Sequence, residues 1–392
     1  MNTRNILTWL PKHIVGLMGM ILLTLSCEDY LEVDPPKNQL TGEVVFENAA
    51  TVDAAFAHIY AELRENGFTT GGTQGLSYLM GHYSDELELY SSSLPAVLNY
   101  TNNTVLPSDN SVKNLWDTGY GLVYAANAIL EGVSSSGSLT EDEKGRLLGE
   151  AYFIRAFIHF HLVNLFGEIP YIMTTDYDEN KDVGRLELAM VYQYIEGDLL
   201  LAKELLAASA PDFERFRPDY WTASALLARV YLYQENWAAA KTKCEEVIGS
   251  ENYSLVPNYA DVFSSGQQWG SEVIWSINMV EDLDGHWGEH EGSWLSIWFG
   301  DRDMGWGYGF KCPTEDFVQA FEPTDTRLEA SVVFDGEMIP GTFGGAPHDF
   351  TGGSWNPPTG YIEARTTTSD PIYIGTDDTG HHEWSINVTL TK

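Results

Sequence analysis

The stretch from Thr140 to Pro170 constrains the fold more than any other, because it specifies one long helix together with both of its ends. Thr140 followed by Glu143 is a capping box, in which the hydroxyl serves the third backbone amide and the carboxylate reaches back to the cap. Gly167 and Pro170 supply the stop, one by tolerating a left-handed backbone and the other by refusing to continue a helix. Between them Leu147, Ala151, Ile154, Ile158, Leu162 and Leu165 recur at three- and four-residue spacing. A helix of that length with such a face must pack on other helices, so a mainly α fold follows.

The same periodicity predicts a helix from Ala49, on Val52, Ala55, Phe56, Ile59, Tyr60 and Leu63. It predicts another from Leu115 to Leu130, on Trp116, Tyr120, Val123, Tyr124, Asn127 and Leu130, and a third from Leu188 to Ala208. Pro218 then opens a pair of helices split near Glu235-Asn236. In residues 220–252, Leu227, Ala228, Tyr231, Trp237 and Ala240 match the spacing of a tetratricopeptide hairpin. Ala228 and Ala240 would let the two helices approach, with Tyr231 and Trp237 filling the gaps around them; an ordinary helical hairpin is the alternative. One hairpin cannot bury its face alone, so the helices at 115–131, 140–166 and 188–208 are its expected stacking partners. Residues 90–112, rich in Ser, Asn and Thr, read as a surface loop. Beyond residue 254, Gly, Trp and Asp dominate among short β-like pieces such as Val273–Ile277, with a short helix at Glu315 to Phe321. The expected architecture is a tetratricopeptide-like helical-hairpin stack with an irregular, loop-rich, short-strand region for a ligand.

The N-terminus reads as an export signal. Arg4 and Lys12 precede an apolar run from Ile14 to Leu25, which closes on Leu25-Ser26-Cys27. That run is short of the about 20 residues a bilayer span requires. Cys27 stands where a lipoprotein signal places its acylated cysteine, although Thr24 occupies the position where Leu is commonest; a plain cleaved signal is the alternative. Residues 1–27 are thus the expected lipoprotein signal peptide and residues 28–40, acidic and Pro-containing, a tether. The whole chain carries a formal charge of −36, and loss of Arg4 and Lys12 would make it more acidic still. Such a surface repels phosphate backbones and anionic headgroups, which argues against nucleic acid as a partner. With 44% hydrophobic and 13% aromatic residues the chain has ample material for a core. Cys244 and Cys312, too few for a disulfide framework, read as buried small hydrophobes.

Catalytic patterns are weak. His286-Trp287-Gly288-Glu289-His290 spells an inverted zinc-protease motif, but that motif requires a helix, and Gly285, Gly288 and Gly292 oppose one. Asp282-Leu283-Asp284-Gly285 resembles half of a calcium loop without its later ligands, so calcium is at most a structural ion and no cofactor is expected. His159 and His161 read as satisfied residues of an apolar helix. Asp85, Glu86 and Glu88 could be paired acids for glycoside hydrolysis, yet in so acidic a chain they read better as a solvated face. The cluster Trp287, Trp294, Trp298, Trp306 and Tyr308 is different, since it sits among Gly, Ser and Asp without amphipathic order. Indole faces stack on pyranose C–H faces while groups such as Asp301, Arg302 and Asp303 bond hydroxyls; packing in a loop-built core is the competing reading. Tyr90 and Tyr100 are candidates for a second wall, and Trp275 between Ile274 and Ile277 reads as core.

Four segments in order resemble the SusD/RagB family of nutrient-binding outer-membrane lipoproteins. They are CEDYLEVDPPKNQLTGEVVFENAATVDAAFAHIYAEL from Cys27, LWDTGYGLVYAANAIL at 115–130, GEAYFIRAFIHFHLVNLFGEIPYI at 149–172 and PTEDFVQAFEPTDTRL at 313–328. The resemblance implies a binding domain over 41–330 that is not an enzyme and takes oligosaccharides, less often peptides. It also implies a SusC-like TonB-dependent transporter as partner and a lipid anchor facing the cell exterior. A non-catalytic repeat scaffold and a surface glycan hydrolase are the rival classes. Family members usually continue into further helices, whereas residues 331–392 carry no family pattern; a truncated or frame-shifted chain and a divergent short member are both compatible with that.

Overall fold

The computed structural model describes residues 45–64, 68–69, 75–89, 94–206, 215–262, 270–280, 312–334, 338–339, 348–349, 361–364 and 383–386. Helices carry the architecture: α1 (Ala49–Arg64), α2 (Leu76–Tyr83), α3 (Pro95–Thr101), α4 (Asn110–Ser135), α5 (Glu141–Phe166), α6 (Tyr177–Asn180), α7 (Leu188–Leu206), α8 (Tyr220–Tyr233), α9 (Trp237–Gly249), α10 (Glu315–Gln319) and α11 (Arg327–Ser331). The chain divides into two units, Met1–Val45 and Phe46–Lys392, and all of these elements belong to the second.

α5 starts and ends where its sequence dictates. The Glu143 amide donates to Thr140 Oγ1 at 3.3 Å and the Thr140 amide to Glu143 Oε2 at 2.8 Å, closing the capping box. Gly167 ends the helix with φ 71°, a conformation that strains any residue with a Cβ. More than its predicted face is covered: Phe153, Ala156, Phe157 and Phe160 are buried as well as Leu147, Ala151, Ile154, Ile158 and Leu162. α5 is therefore the central element, with α4 on one side and α7 on another; α7 packs on α8, α8 on α9, and α1 lies on α4. Close approach depends on missing side chains. A Cβ at Gly119 of α4 would stand 2.8 Å from Leu162 Cδ2, and one at Gly149 of α5 would stand 2.7 Å from Leu206 Cγ. Ala228 and Ala240 are buried at the α8–α9 crossing, as the hairpin pattern requires.

Four sequence expectations need correction. Residues 90–112 are not one loop: α3 forms within them, with Pro95 pre-set for a first helical turn, and α4 begins at Asn110. Tyr124 lies on α4 but 57% exposed, so it is not part of the core face. Trp237 fills no gap in the hairpin, being 62% exposed. Cys244 is exposed on α9 rather than buried, because the helix seats only Ala240 and Val247 in the interior.

Two groups of charged and polar side chains inside the stack are closely paired. Arg155 on α5 grips Asp198 on α7 through Nε and Nη2, both at 2.7 Å, and its Nη1 donates to Asn127 Oδ1 on α4 at 2.7 Å. The Tyr171 hydroxyl donates to the same carboxylate at 2.6 Å. His159 Nδ1 donates to the Arg155 carbonyl at 2.9 Å and its ring stacks on Tyr171 at 3.8 Å. Burial holds this imidazole neutral, with its pKa lowered to about 3. A second group ties α1 to α5 and to the residues leading into α8. Glu150 accepts from Tyr60 at 2.8 Å and from Arg217 at 2.8 and 2.9 Å, while Arg146 donates to Asp53 at 3.0 and 3.2 Å.

The described strands form four antiparallel pairs and no larger sheet. β1 (Leu87–Glu88) pairs with β3 (Cys312–Pro313), and β2 (Ile277–Val280) with β8 (Glu383–Ile386). β4 (Val332–Phe334) pairs with β7 (Tyr361–Ala364), and β5 (Met338–Ile339) with β6 (His348–Asp349).

Candidate functional site

The described structure frames the aromatic segment from both sides. On its N-terminal side, Trp275 is fully buried with Phe153 and Phe157 of α5 each edge-on at 5.2 Å, and its Nε1–H donates to the Phe216 carbonyl at 3.1 Å. This fulfils the expectation that Trp275 is core. The Ser276 amide donates to the Arg215 carbonyl at 2.9 Å, and the Arg215 guanidinium donates to the Val273 carbonyl while lying 4.6 Å from the Tyr253 ring centre. Residues 273–277 are thereby pinned to α5 and to the approach to α8, and β2 follows at once.

On the C-terminal side, β3 is held by β1, with Glu88 opposite Cys312 and Leu87 opposite Pro313. Thr314 secures the end of the pair: its amide donates to the Glu86 carbonyl at 3.0 Å and its hydroxyl to the Asp85 carbonyl at 2.6 Å. Because the pair is antiparallel, the chain leaves β1 toward Tyr90 at the same end at which it enters β3 from the side of Tyr308. Segments whose ends are fixed on a rigid frame are where proteins place binding residues.

The residues singled out from sequence as ligand contacts, Trp287, Trp294, Trp298, Trp306, Tyr308, Asp301, Arg302 and Tyr90, lie outside the described residues. So do Cys27, the His286–His290 motif and Asp282-Leu283-Asp284-Gly285. Tyr100 is described, and it is no second wall: its ring is 3% exposed and its hydroxyl shares a hydrogen bond with Ser111 at 3.1 Å. Burial raises its pKa accordingly. Among the described residues, Tyr83 reaches solvent close to β1, 48% exposed and braced edge-on by Tyr100 at 5.9 Å. Sequence reasoning missed it, because what marks it is the packing of Tyr100 against its ring, which has no local signal. Asp85 and Asn103 stand next to it with φ 62° and 54°, their side chains linked at 3.5 Å. Asp85 and Glu86 are exposed, as a solvated face requires, but Glu88, expected on the same face, is half-buried in β1. His159 is buried as expected, and His161 is half-buried with its Nδ1 on the Phe157 carbonyl at 2.9 Å. Among the described residues no group of three or more His, Cys, Asp or Glu could hold a metal ion, and no helix is long and apolar enough to cross a membrane.

Known proteins agree with this frame. Residues 29–232 match the SusD-like family described as starch-binding and associating with the outer membrane, and the chain belongs to that family. SusD-like protein P25 of Formosa agariphila is 29% identical over 342 residues, a match covering 84% of this chain and 64% of that protein. This chain thus spans just under two thirds of that relative's length. Among solved structures, a SusD-like protein of Bacteroides fragilis superposes with a TM-score of 0.73 at 20% identity, covering 91% of this chain and 75% of its own. A laminarin-binding SusD-like protein superposes at 0.69 with 22% identity, covering 88% and 78%. At these identities the structural likeness speaks for the fold.

Proposed function

We propose that this chain captures oligosaccharides by aromatic stacking on a segment whose two flanks are anchored to the described frame, and passes them to a TonB-dependent transporter without breaking a bond. The observation that carries the reading is the double root of the segment bearing Trp287, Trp294, Trp298, Trp306 and Tyr308, in a chain of the SusD-like family. A stacking site requires rings held at fixed positions, and pinning both flanks of the segment is what reduces the ordering cost on binding. The exposed Tyr83 ring, with the Asp85 and Asn103 side chains beside it, joins the reading as a further contact from the described surface. The laminarin named for one structural neighbour suggests a first ligand to try. Acylation at Cys27 would hold the domain on the outer membrane, facing outward, since several acyl chains bury enough methylene groups for stable anchoring. The reading needs no metal, so a chelator should leave affinity unchanged.

A glycan array probed with the wild-type chain and with Trp287→Ala, Trp306→Ala and Tyr83→Ala tests this. Binding by the wild type that weakens about tenfold or more in at least one variant is the expected result, at about 1–2 kcal/mol for a lost ring contact. Equal binding by all four would remove the proposed site. Failure of the wild type on every glycan would favour a peptide ligand or a scaffold, and turnover abolished by neutralising one carboxylate would make the chain a hydrolase.

A further inference from the structure

The turn between α8 and α9 reads Tyr233-Gln234-Glu235-Asn236-Trp237, two rings flanking three polar residues. The tetratricopeptide pattern assigns Trp237 to the interior, yet it is the more exposed of the two, at 62% against 48% for Tyr233. An indole left in water keeps apolar surface that a contact with a ligand would bury. The turn is held in shape. Glu235 adopts φ 58°, the Glu235 amide donates to the Leu232 carbonyl at 3.0 Å and the Asn236 amide to the Tyr231 carbonyl at 2.9 Å. Gln234 Nε2 donates to Glu196 on α7 at 2.7 Å, and Asn236 Oδ1 caps α9 by accepting from the Ala239 amide at 3.3 Å. Tyr233 is braced edge-on by Phe160 at 5.1 Å, with the Arg229 guanidinium 6.0 Å from its ring centre.

Charge narrows what could sit there. Within Tyr220–Gly249, Arg229, Lys241 and Lys243 balance Glu235, Glu245 and Glu246, so a neutral hairpin stands on a chain of charge −36. A second copy would bring two strongly acidic bodies together, and a neutral turn gives no electrostatic pull toward a charged lipid surface. A neutral polyhydroxylated ligand meets neither obstacle, and it uses what the turn offers: flat apolar rings with amide and carboxylate groups between them.

We propose that Tyr233–Trp237 is a second glycan-contact platform, on which the two rings stack against pyranose faces of a neutral polysaccharide also engaged elsewhere on the chain. The platform rests on the reading of this chain as a glycan binder and deepens it: two separated contacts favour polymers over short oligosaccharides through effective concentration. The test is affinity electrophoresis of the intact chain, Tyr233→Ala, Trp237→Ala and Trp237→Phe in gels cast with laminarin, dextran, xylan or galactomannan. For a polymer that retards the wild type, both Ala variants should lose at least about tenfold in apparent affinity while Trp237→Phe keeps most of it. Equal retardation of the wild type and both Ala variants overturns the platform and leaves the glycan reading intact. No retardation of the wild type by any polymer overturns both. Loss in Trp237→Phe equal to that in Trp237→Ala overturns the platform too, since a stacking ring survives that change. So does self-association of the wild type that the Ala variants abolish without altered retardation, which would make the turn a contact between copies.

Discussion

α5 and the α8–α9 hairpin are built from the same kind of helix and treated in opposite ways. α5 is clasped by α4 and α7, buries aromatic and aliphatic side chains on more than one face, and encloses Arg155 and His159. α9 seats only Ala240 and Val247 and leaves Trp237, Cys244 and Ile248 to solvent. In the first region a polar group is tolerable only with every partner in place; in the second an apolar ring stays in water because the packing of the hairpin does not need it. The difference separates residues that hold the frame from residues available for contact with something else.

The largest effect should come from breaking the grip at the centre. Asp198→Ala strands the Arg155 guanidinium in the interior and should cost about 3–5 kcal/mol in denaturant unfolding; a loss below about 1 kcal/mol would mean that the pair is not sealed as described. Next comes acid. The unfolded His159 gains a proton near its ordinary pKa of about 6.5, whereas in the fold burial defers that to about 3. Its contribution is therefore complete above pH 6.5 and declines as the pH falls, by about 1.4 kcal/mol per pH unit. Unfolding of His159→Gln between pH 6 and 4.5 should show a slope flatter by about that amount, and an unchanged slope would refute the assignment. The smallest effect is expected at the hairpin, where Trp237→Ala should shift stability by no more than about 0.5 kcal/mol. A cost of 2 kcal/mol or more would restore Trp237 to the interior and erase the contrast.

Local signals were readable where a few neighbouring residues decide the outcome. Thr140, Glu143 and Gly167 specify the two ends of α5 within a turn of chain, and Ala228 and Ala240 declare a close crossing by their size. Pro95 was equally readable in principle, but the Ser- and Asn-rich surroundings hid α3 and with it the burial of Tyr100. What the periodicity did not convey is how many neighbours a helix has. α5 looked one-sided and is enclosed, while Tyr124 and Trp237 looked internal and are not, because a spacing pattern says which residues share a face and not whether anything covers it. The Arg155–Asp198 pair joins positions 43 residues apart and has no local signature at all. As for the site, its two roots depend on backbone pairing between distant segments, and Tyr83 stands out only once Tyr100 is seen bracing it.

The pairing of β1 with β3 has a consequence for the order in which the molecule assembles. Thr314 and Asp85 are 229 residues apart in the chain. Closing a flexible loop of that length costs about 5 kcal/mol, whereas a two-residue pair and the Thr314 bonds supply a few links worth about 1 kcal/mol each. The junction therefore cannot nucleate folding; it closes only after the helices between have condensed and shortened the effective loop. Its amides should exchange with solvent deuterium well before those of α5, so this edge of the structure opens and recloses while the helical centre stays shut.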